Sequence, residues 1–269
     1  MPFNIVVCVK QTPSSTNVAI DANGAIKKDA DAGQLNPFDE YAIEEAVRIK
    51  EKNPGSWVGV LTMGAPQAEG ALKDAISRGC DQTFSLCDNA YEGADTYSTS
   101  YALSRAIAKI KELKDNKVDL VICGKQSSDS DTGQVGPQIA SWLKWPSSSF
   151  VKKIEALADS TITIHRMMED GYDVIEMKLP SVISVVKEIN EPRLPSLKGK
   201  MAAKKAVITR WTPDELSCDK TKIGVAGSPT TVVKNFAPPT RSAGMKIDGA
   251  DPNEKAKVLA DKLKELKVL

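Results

Sequence analysis

Over its first 145 residues the chain repeats one pattern: a short strand-like run, then a longer segment whose apolar residues recur every three or four positions. Phe3–Val9, Trp57–Met63, Gln82–Leu86 and Val118–Ile122 read as strands. Asn36–Lys52 reads as a helix. Pro37 suits its first turn, Asp39 and Glu40 favour its amino end, and Arg48, Lys50 and Lys52 favour the other. Ile43, Ala46 and Val47 form its inner stripe. Ala68, Ala71, Leu72, Ala75 and Ile76 mark a second helix. Thr96 to Lys114 marks a third, with Leu103, Ala106, Ile107 and Ile110 on one face. Strands alternating with helices predict an α/β fold with a parallel sheet covered on both faces. Such sheets bind ligands beyond the carboxyl ends of their strands. The candidate loops are those after Val9 and Met63, the one holding Gly93–Thr96, and the one after Ile122.

The pattern changes after residue 145. Thr161–Arg166 and Tyr172–Leu179 alternate in polarity around Glu169–Gly171, which predicts a β-hairpin. Ser181–Val186 reads as a further apolar strand. Asn190–Lys205 is rich in Pro and Lys and reads as an ordered surface loop. Gly224–Gly244 is irregular. A capped helix ends the chain, with Asp251 as cap, Pro252 in the first turn and Glu254 three residues after the cap. Leu259, Leu263 and Leu266 form its stripe, which must fold back on the body or dock on a partner. The expected division is an α/β domain over 1–225 and a C-terminal arm over 226–269.

The 36 basic and 35 acidic residues nearly cancel, which argues against a bulk nucleic-acid or membrane binder. No apolar run approaches the roughly 18 residues of a membrane helix, and the N-terminus lacks a signal-peptide pattern; a cytoplasmic protein is expected. Five cysteines without a CxxC pair fit reduced thiols. A single histidine, His165, argues against a His-based triad or a multi-His metal site. Redox chemistry here must come from a cofactor.

The segment after the fourth strand, CGKQSSDSDTGQVGPQIA (Cys123–Ala140), carries the strongest local signal. It is neither GxGxxG nor GxxxxGK[ST]. Gly124 lets the backbone turn, Gly133 and Gly136 permit close approach, and Ser127, Ser128, Ser130 and Thr132 offer hydroxyls. Pro137 fits a first helical turn, so amides near Gln134–Gly136 can meet a phosphate. Asp129 and Asp131 would face away from it. A turn this rich in Ser and Asp also serves as a plain solvated helix entry.

With VVCVKQTP (Val6–Pro13), LNPFDEYAIEEAVRIKEK (Leu35–Lys52), LTMGAPQAE (Leu61–Glu69), LPSVISV (Leu179–Val185) and NEPRLPSLKGKMAAKK (Asn190–Lys205), that segment resembles the β subunit of electron transfer flavoprotein along nearly the whole chain. The resemblance implies an adenine-nucleotide site made by Cys8, Asn36, Pro37, Phe38, Asp39, Met63 and the loop Gly124, Lys125, Gln126, Ser127, Ser128, Asp129, Asp131, Thr132, Gly133, Gln134 and Val135. It also implies an obligate heterodimer with an α subunit that holds the electron-shuttling flavin, on which the C-terminal helix docks.

One branch of the family binds AMP here as a structural ligand. The other binds a second FAD, accepts hydride from NADH and bifurcates the electrons to ferredoxin or flavodoxin and, through the α-subunit flavin, to a dehydrogenase. Glu92–Ser100 resembles the GGADT segment of bifurcating members, which adds Gly93, Asp95 and Thr96 to the expected cofactor contacts. Asp129–Pro137 resembles their DGDTAQVGP, and Gly227–Phe236 their C-terminal region. Ser127–Ser128, Ser130, Glu92, Asp173 and Ser181 depart from that branch's usual residues. Asp95 or Thr96 also reads as a plain helix cap. Arg166 is a flavin or partner contact by the resemblance and an ordinary solvated arginine by its hairpin position. The Asn190–Lys205 loop resembles the family's recognition loop for an acyl-CoA or related dehydrogenase, with Leu197 at the tip and Arg193, Lys198 and Lys205 as its charged rim.

Overall fold

The computed structural model describes residues 1–14, 33–234 and 244–269. Asn235 and Phe236, the end of the Gly227–Phe236 resemblance, lie outside them. In chain order the elements are β1 (Asn4–Cys8), β2 (Gln11–Thr12), β3 (Gln34–Leu35), α1 (Pro37–Lys52), β4 (Trp57–Met63), α2 (Glu69–Ser77), β5 (Gln82–Leu86), α3 (Thr96–Leu113), β6 (Leu120–Gly124) and α4 (Val135–Leu143). Then come β7 (Ser147–Leu157), β8 (Thr161–Met168), β9 (Gly171–Lys178), β10 (Ser181–Val185), α5 (Leu197–Lys205), β11 (Ile208–Arg210) and α6 (Pro252–Glu265).

Nine strands form one sheet in the order β11-β5-β4-β1-β6-β10-β7-β8-β9. Seven of them, from β11 to β7, run parallel; β7, β8 and β9 pair antiparallel. Alternation along β1 decides what each face buries. Ile5 and Val7 join Ile43, Ala46, Leu72 and Ala75 of α1 and α2 on one face. Val6 and Cys8 join Leu103, Ala106, Ile107 and Ile139 of α3 and α4 on the other. Both faces are covered, as parallel sheets require.

Strand starts are pinned by carboxylates. Asp119 accepts from Asn4 N at 2.7 Å, and Asp81 accepts from Val58 N at 2.9 Å. Each fixes a neighbouring strand's register where the ladder begins. The chain order runs outward from β1 to β4 and β5 on one side, then to β6 and β10 on the other. The switch therefore lies between β1 and β6, where Cys8 stands opposite Cys123. In such sheets this is where a crevice opens for a ligand.

Four expectations need revision. The fourth strand sits at Leu120–Gly124, two residues beyond the run read from sequence. The hairpin belongs to a three-strand meander whose first member, β7, was read as no element. Its register against β8 shifts twice, which breaks the period-2 signal. The Asn190–Lys205 loop becomes a helix from Leu197, because Ser196 caps it by accepting from Gly199 N at 2.9 Å. A short strand, β11, follows it and extends the sheet beyond β5. Among the described residues no helix is long and apolar enough to cross a membrane.

Ile107 is fully buried between α3 and the sheet. Ile107→Ala should lower stability by about 2–5 kcal/mol, read from urea unfolding; a cost near zero would mean that this face is not packed as described.

Candidate nucleotide site

The carboxyl ends of β1 and β6 and the first turn of α1 meet at the switch point. The Gly124 position shows how close that meeting is. A side chain there would lie 2.4 Å from Asp39 Oδ1 and 2.7 Å from the Phe38 carbonyl carbon, so only glycine fits.

Asn36 and Asp39 form the base of the site. Asn36 is 1 % exposed and precedes α1. By residue type it should cap that helix, yet its side chain makes no cap bond. Instead its amide donates to Gln126 O at 2.8 Å, and its oxygen accepts from Ser128 N at 3.1 Å. It thereby shapes a loop 90 residues away. Asp39, 5 % exposed, accepts from Lys10 N at 2.8 Å. Burial pushes its carboxyl up to about 7, against the opposing pull of the amides of Lys10 and Gly124, the Asn36 side chain and the Lys10 charge.

The loop from Lys125 to Gln134 is organised by its own polar groups. Lys10 Nζ lies 2.7 Å from both Asp129 carboxylate oxygens and 3.4 Å from Ser127 Oγ. Burial raises the Asp129 carboxyl, but the Lys10 and Ser127 bonds outweigh it and hold the group below its ordinary range. Asp131, in the left-handed region at φ 52°, accepts from Gln126 Nε2 at 2.7 Å. The two loop aspartates are thus both engaged, and the negative charge of Asp129 is matched by Lys10. Pro137 is the third residue of α4. First-turn amides of a helix have no intrahelical acceptor, so those of Val135 and Gly136 are suited to an anion.

Thr96 joins this group from the side, because its hydroxyl donates to Gln134 Oε1 at 2.8 Å. Asp95 caps α3 by accepting from Ser98 N at 3.0 Å. Cys8 is buried beside the loop's origin at Cys123, Phe38 is half-buried in the first turn of α1, and Met63 ends β4, half-buried. Lys125 lies over the Phe150 ring at 5.4 Å, and its amide donates to Val185 O. Gly93 and the Thr132–Gly133 turn complete the expected set.

The residues read as a partner surface lie on another part of the fold, along α1, α2 and α5. Leu197 is 79 % exposed, and Lys198 and Lys205 are exposed. Arg193 differs. It forms ion pairs with the buried Glu44 at 2.7 Å and with Glu51 at 2.6 Å. It fastens the loop to α1 with a bidentate geometry. Arg166 pairs with Asp173 on the neighbouring strand. Lys10 is the site residue that sequence reasoning missed. One lysine after a strand carries no pattern, and its partner Asp129 lies 119 residues away.

Asp39 generates a pH dependence. The unfolded carboxyl ionises near 3.8, the folded one near 7. Between these values the folded chain holds the extra proton, so stability falls as pH rises and levels off above about 7. Asp39→Asn should remove that slope. Thermal midpoints of both proteins from pH 4 to 8 test it; parallel curves would show that Asp39 titrates normally.

The electron transfer flavoprotein domain profile matches residues 24–216. The chain is 42 % identical over 268 residues to the caffeyl-CoA reductase–Etf complex subunit CarD of Acetobacterium woodii, covering 99 % of this chain and 100 % of that one. It is 43 % identical to the electron transfer flavoprotein subunit beta of Thermoanaerobacterium thermosaccharolyticum, over 90 % of this chain and 91 % of that one. It is 36 % identical to the acryloyl-CoA reductase electron transfer subunit gamma of Anaerotignum propionicum, over 99 % and 100 %. Similarity along the whole chain to these subunits leads to one assignment: the chain belongs to the electron transfer flavoprotein family, as a β subunit.

Proposed function

We propose that this β subunit is of the bifurcating type. It holds FAD on the Gly124–Val135 loop and receives hydride from NADH. One electron goes to ferredoxin or flavodoxin. The other goes through the α-subunit FAD to an acyl-CoA or related dehydrogenase. The observation that carries this reading is the Thr96–Gln134 bond, which joins the Glu92–Thr96 segment to the nucleotide loop. Similarity to a subunit named for a caffeyl-CoA reductase–Etf complex supports it.

The residues fit a dinucleotide. When bound, the flavin supplies hydride acceptance and one-electron transfer. The chain supplies the rest. First-turn amides of α4 meet phosphate charge. Lys10 offsets the loop's Asp129, so the loop does not repel an anion. Asn36 holds the loop in shape from beneath, and Asp39 holds the Lys10 segment beside it. Cys8, Phe38, Met63, Gly93 and Asp95 belong to the proposed surroundings of the nucleotide. The proposed partner surface is Leu197 with Lys198 and Lys205, an apolar anchor within a basic rim. The arm over 226–269 docks on the flavin domain of the α subunit, making an obligate heterodimer in the cytoplasm.

A second reading has one observation in its favour. Both carboxylate oxygens of Asp95 are engaged by backbone amides, which takes this residue away from a large cofactor. AMP needs only the loop. This subunit would then be a scaffold, while the α-subunit FAD carries single electrons from dehydrogenases.

Denaturing the purified αβ complex and separating the released nucleotides decides between the two. Two FAD and no AMP per heterodimer is expected; one FAD with one AMP would establish the scaffold reading. Leu197→Ala should slow electron delivery to the dehydrogenase at least roughly tenfold, the loss of about 1.4 kcal/mol of an anchor contact, with nucleotide content unchanged. Wild-type transfer rates in that variant would remove the anchor role.

A further inference from the structure

The segment Glu92–Thr96 does more than border the nucleotide loop. Its Asp95 divides its polar groups between its own helix and a remote segment. Oδ1 accepts from Ser98 N at 3.0 Å and caps α3. Oδ2 accepts from Thr230 N at 3.0 Å, across 135 residues of sequence. Asp95 N donates to Ser228 Oγ at 2.9 Å, and that hydroxyl donates on to Gly224 O at 2.7 Å. Bonds to a carboxylate are about twice as strong as neutral ones, so the Thr230 bond is a firm one.

Packing agrees with the bonding. Gly93, at φ +72°, sits so close to Val225 that a side chain would lie 2.5 Å from Val225 Cγ2. Ile223, just before this contact, is 4 % exposed. From Pro229 the chain is exposed through Val232 and Val233. Residues 223–230 therefore form the held root of the arm. Of α6, no residue is buried; Val258 and Leu259, and Leu266 just after it, are exposed. On its other side the same seat touches the nucleotide loop, through Thr96 and Gln134 at 2.8 Å.

We propose that Glu92–Thr96 is the seat of the C-terminal arm, that Asp95 is the clasp pinning the arm's root at Thr230, and that the Thr96–Gln134 bond stiffens this root when an adenine nucleotide occupies the loop. The coupling rests on the nucleotide-binding reading above; the clasp does not. Asp95 is a positioning residue in this scheme. It fixes the pivot from which α6 reaches the α subunit, and it joins that pivot to the site whose electrons the arm's partner domain would collect.

Amide hydrogen exchange on the αβ complex tests both parts. Ser228→Ala removes one clasp bond without touching the α3 cap. It should speed exchange across 225–234 roughly tenfold, the equivalent of about 1.4 kcal/mol of local opening, and leave 96–104 unchanged. Asp95→Ala, which loses both the cap and the Thr230 bond, should speed both stretches. Exchange as slow as in the wild type in both variants would overturn the clasp. FAD, and separately AMP, added back to nucleotide-stripped complex should slow exchange across 225–234 in the wild type but not in Thr96→Val. Binding of either nucleotide without that slowing would overturn the coupling while leaving nucleotide binding intact. A complex that binds neither would overturn the nucleotide reading, and the coupling with it, and the two clasp variants would still judge Asp95.

Discussion

Two buried side chains at the start of one helix hold the candidate edge of the sheet together. Asn36 grips the loop after β6, and Asp39 grips the chain after β1. Both depend on α1 lying close against Gly124. The local cost is visible. Asn36 gives up the cap bond that its residue type favours, a loss of about 1 kcal/mol to the helix. Asp39 sits where burial opposes its charge. Local stability is given up for shape at the switch between β1 and β6. That is the usual location of a conflict between local rules and function.

Charge in the molecule is arranged in internal pairs. Lys10 meets Asp129, Arg193 meets Glu44 and Glu51, Arg78 meets Glu40 and Asp74, and Arg210 meets Glu69. Each joins segments that are remote in sequence, except Arg78 to Asp74. Glu44 is the strongest case. Burial raises its carboxyl, but the bonds from Arg193 and Arg48 outweigh this and hold it below its ordinary range. Removing Arg193 would leave a buried anion without its main partner.

Legibility followed how continuous the apolar signal was. β4 and β5 stand at the bounds read from sequence, because both of their faces are buried and little interrupts the run. β7 was invisible: its residues, SSSFVKKIEAL, are half-exposed, and its register shifts break the alternation. α5 was hidden by four lysines and a glycine, and it forms through the Ser196 cap and by packing on α2. In the site, Asn36 and Asp39 were identified, but their work was not, since their partners lie far along the chain. Asp95 was read as a cap or a cofactor contact. It is a cap, and its second oxygen answers to a residue 135 positions away. Side chains that act across the fold leave no local trace in the sequence.

Helix α1 carries a further implication. Its amino end braces the loop after β6 through Asn36 and the chain after β1 through Asp39, and its flank anchors the Leu197 segment through Glu44 and Glu51. Sixteen residues at 1.5 Å per residue make a rod about 24 Å long. Glu44 lies about 12 Å along it from Asn36, and Glu51 about 22 Å. A straight helix neither stretches nor bends cheaply, so α1 acts as a ruler. The bed of the proposed nucleotide and the footing of the proposed partner surface are two marks on one scale. Whatever swings elsewhere in an assembled complex, the distance between these two marks stays constant.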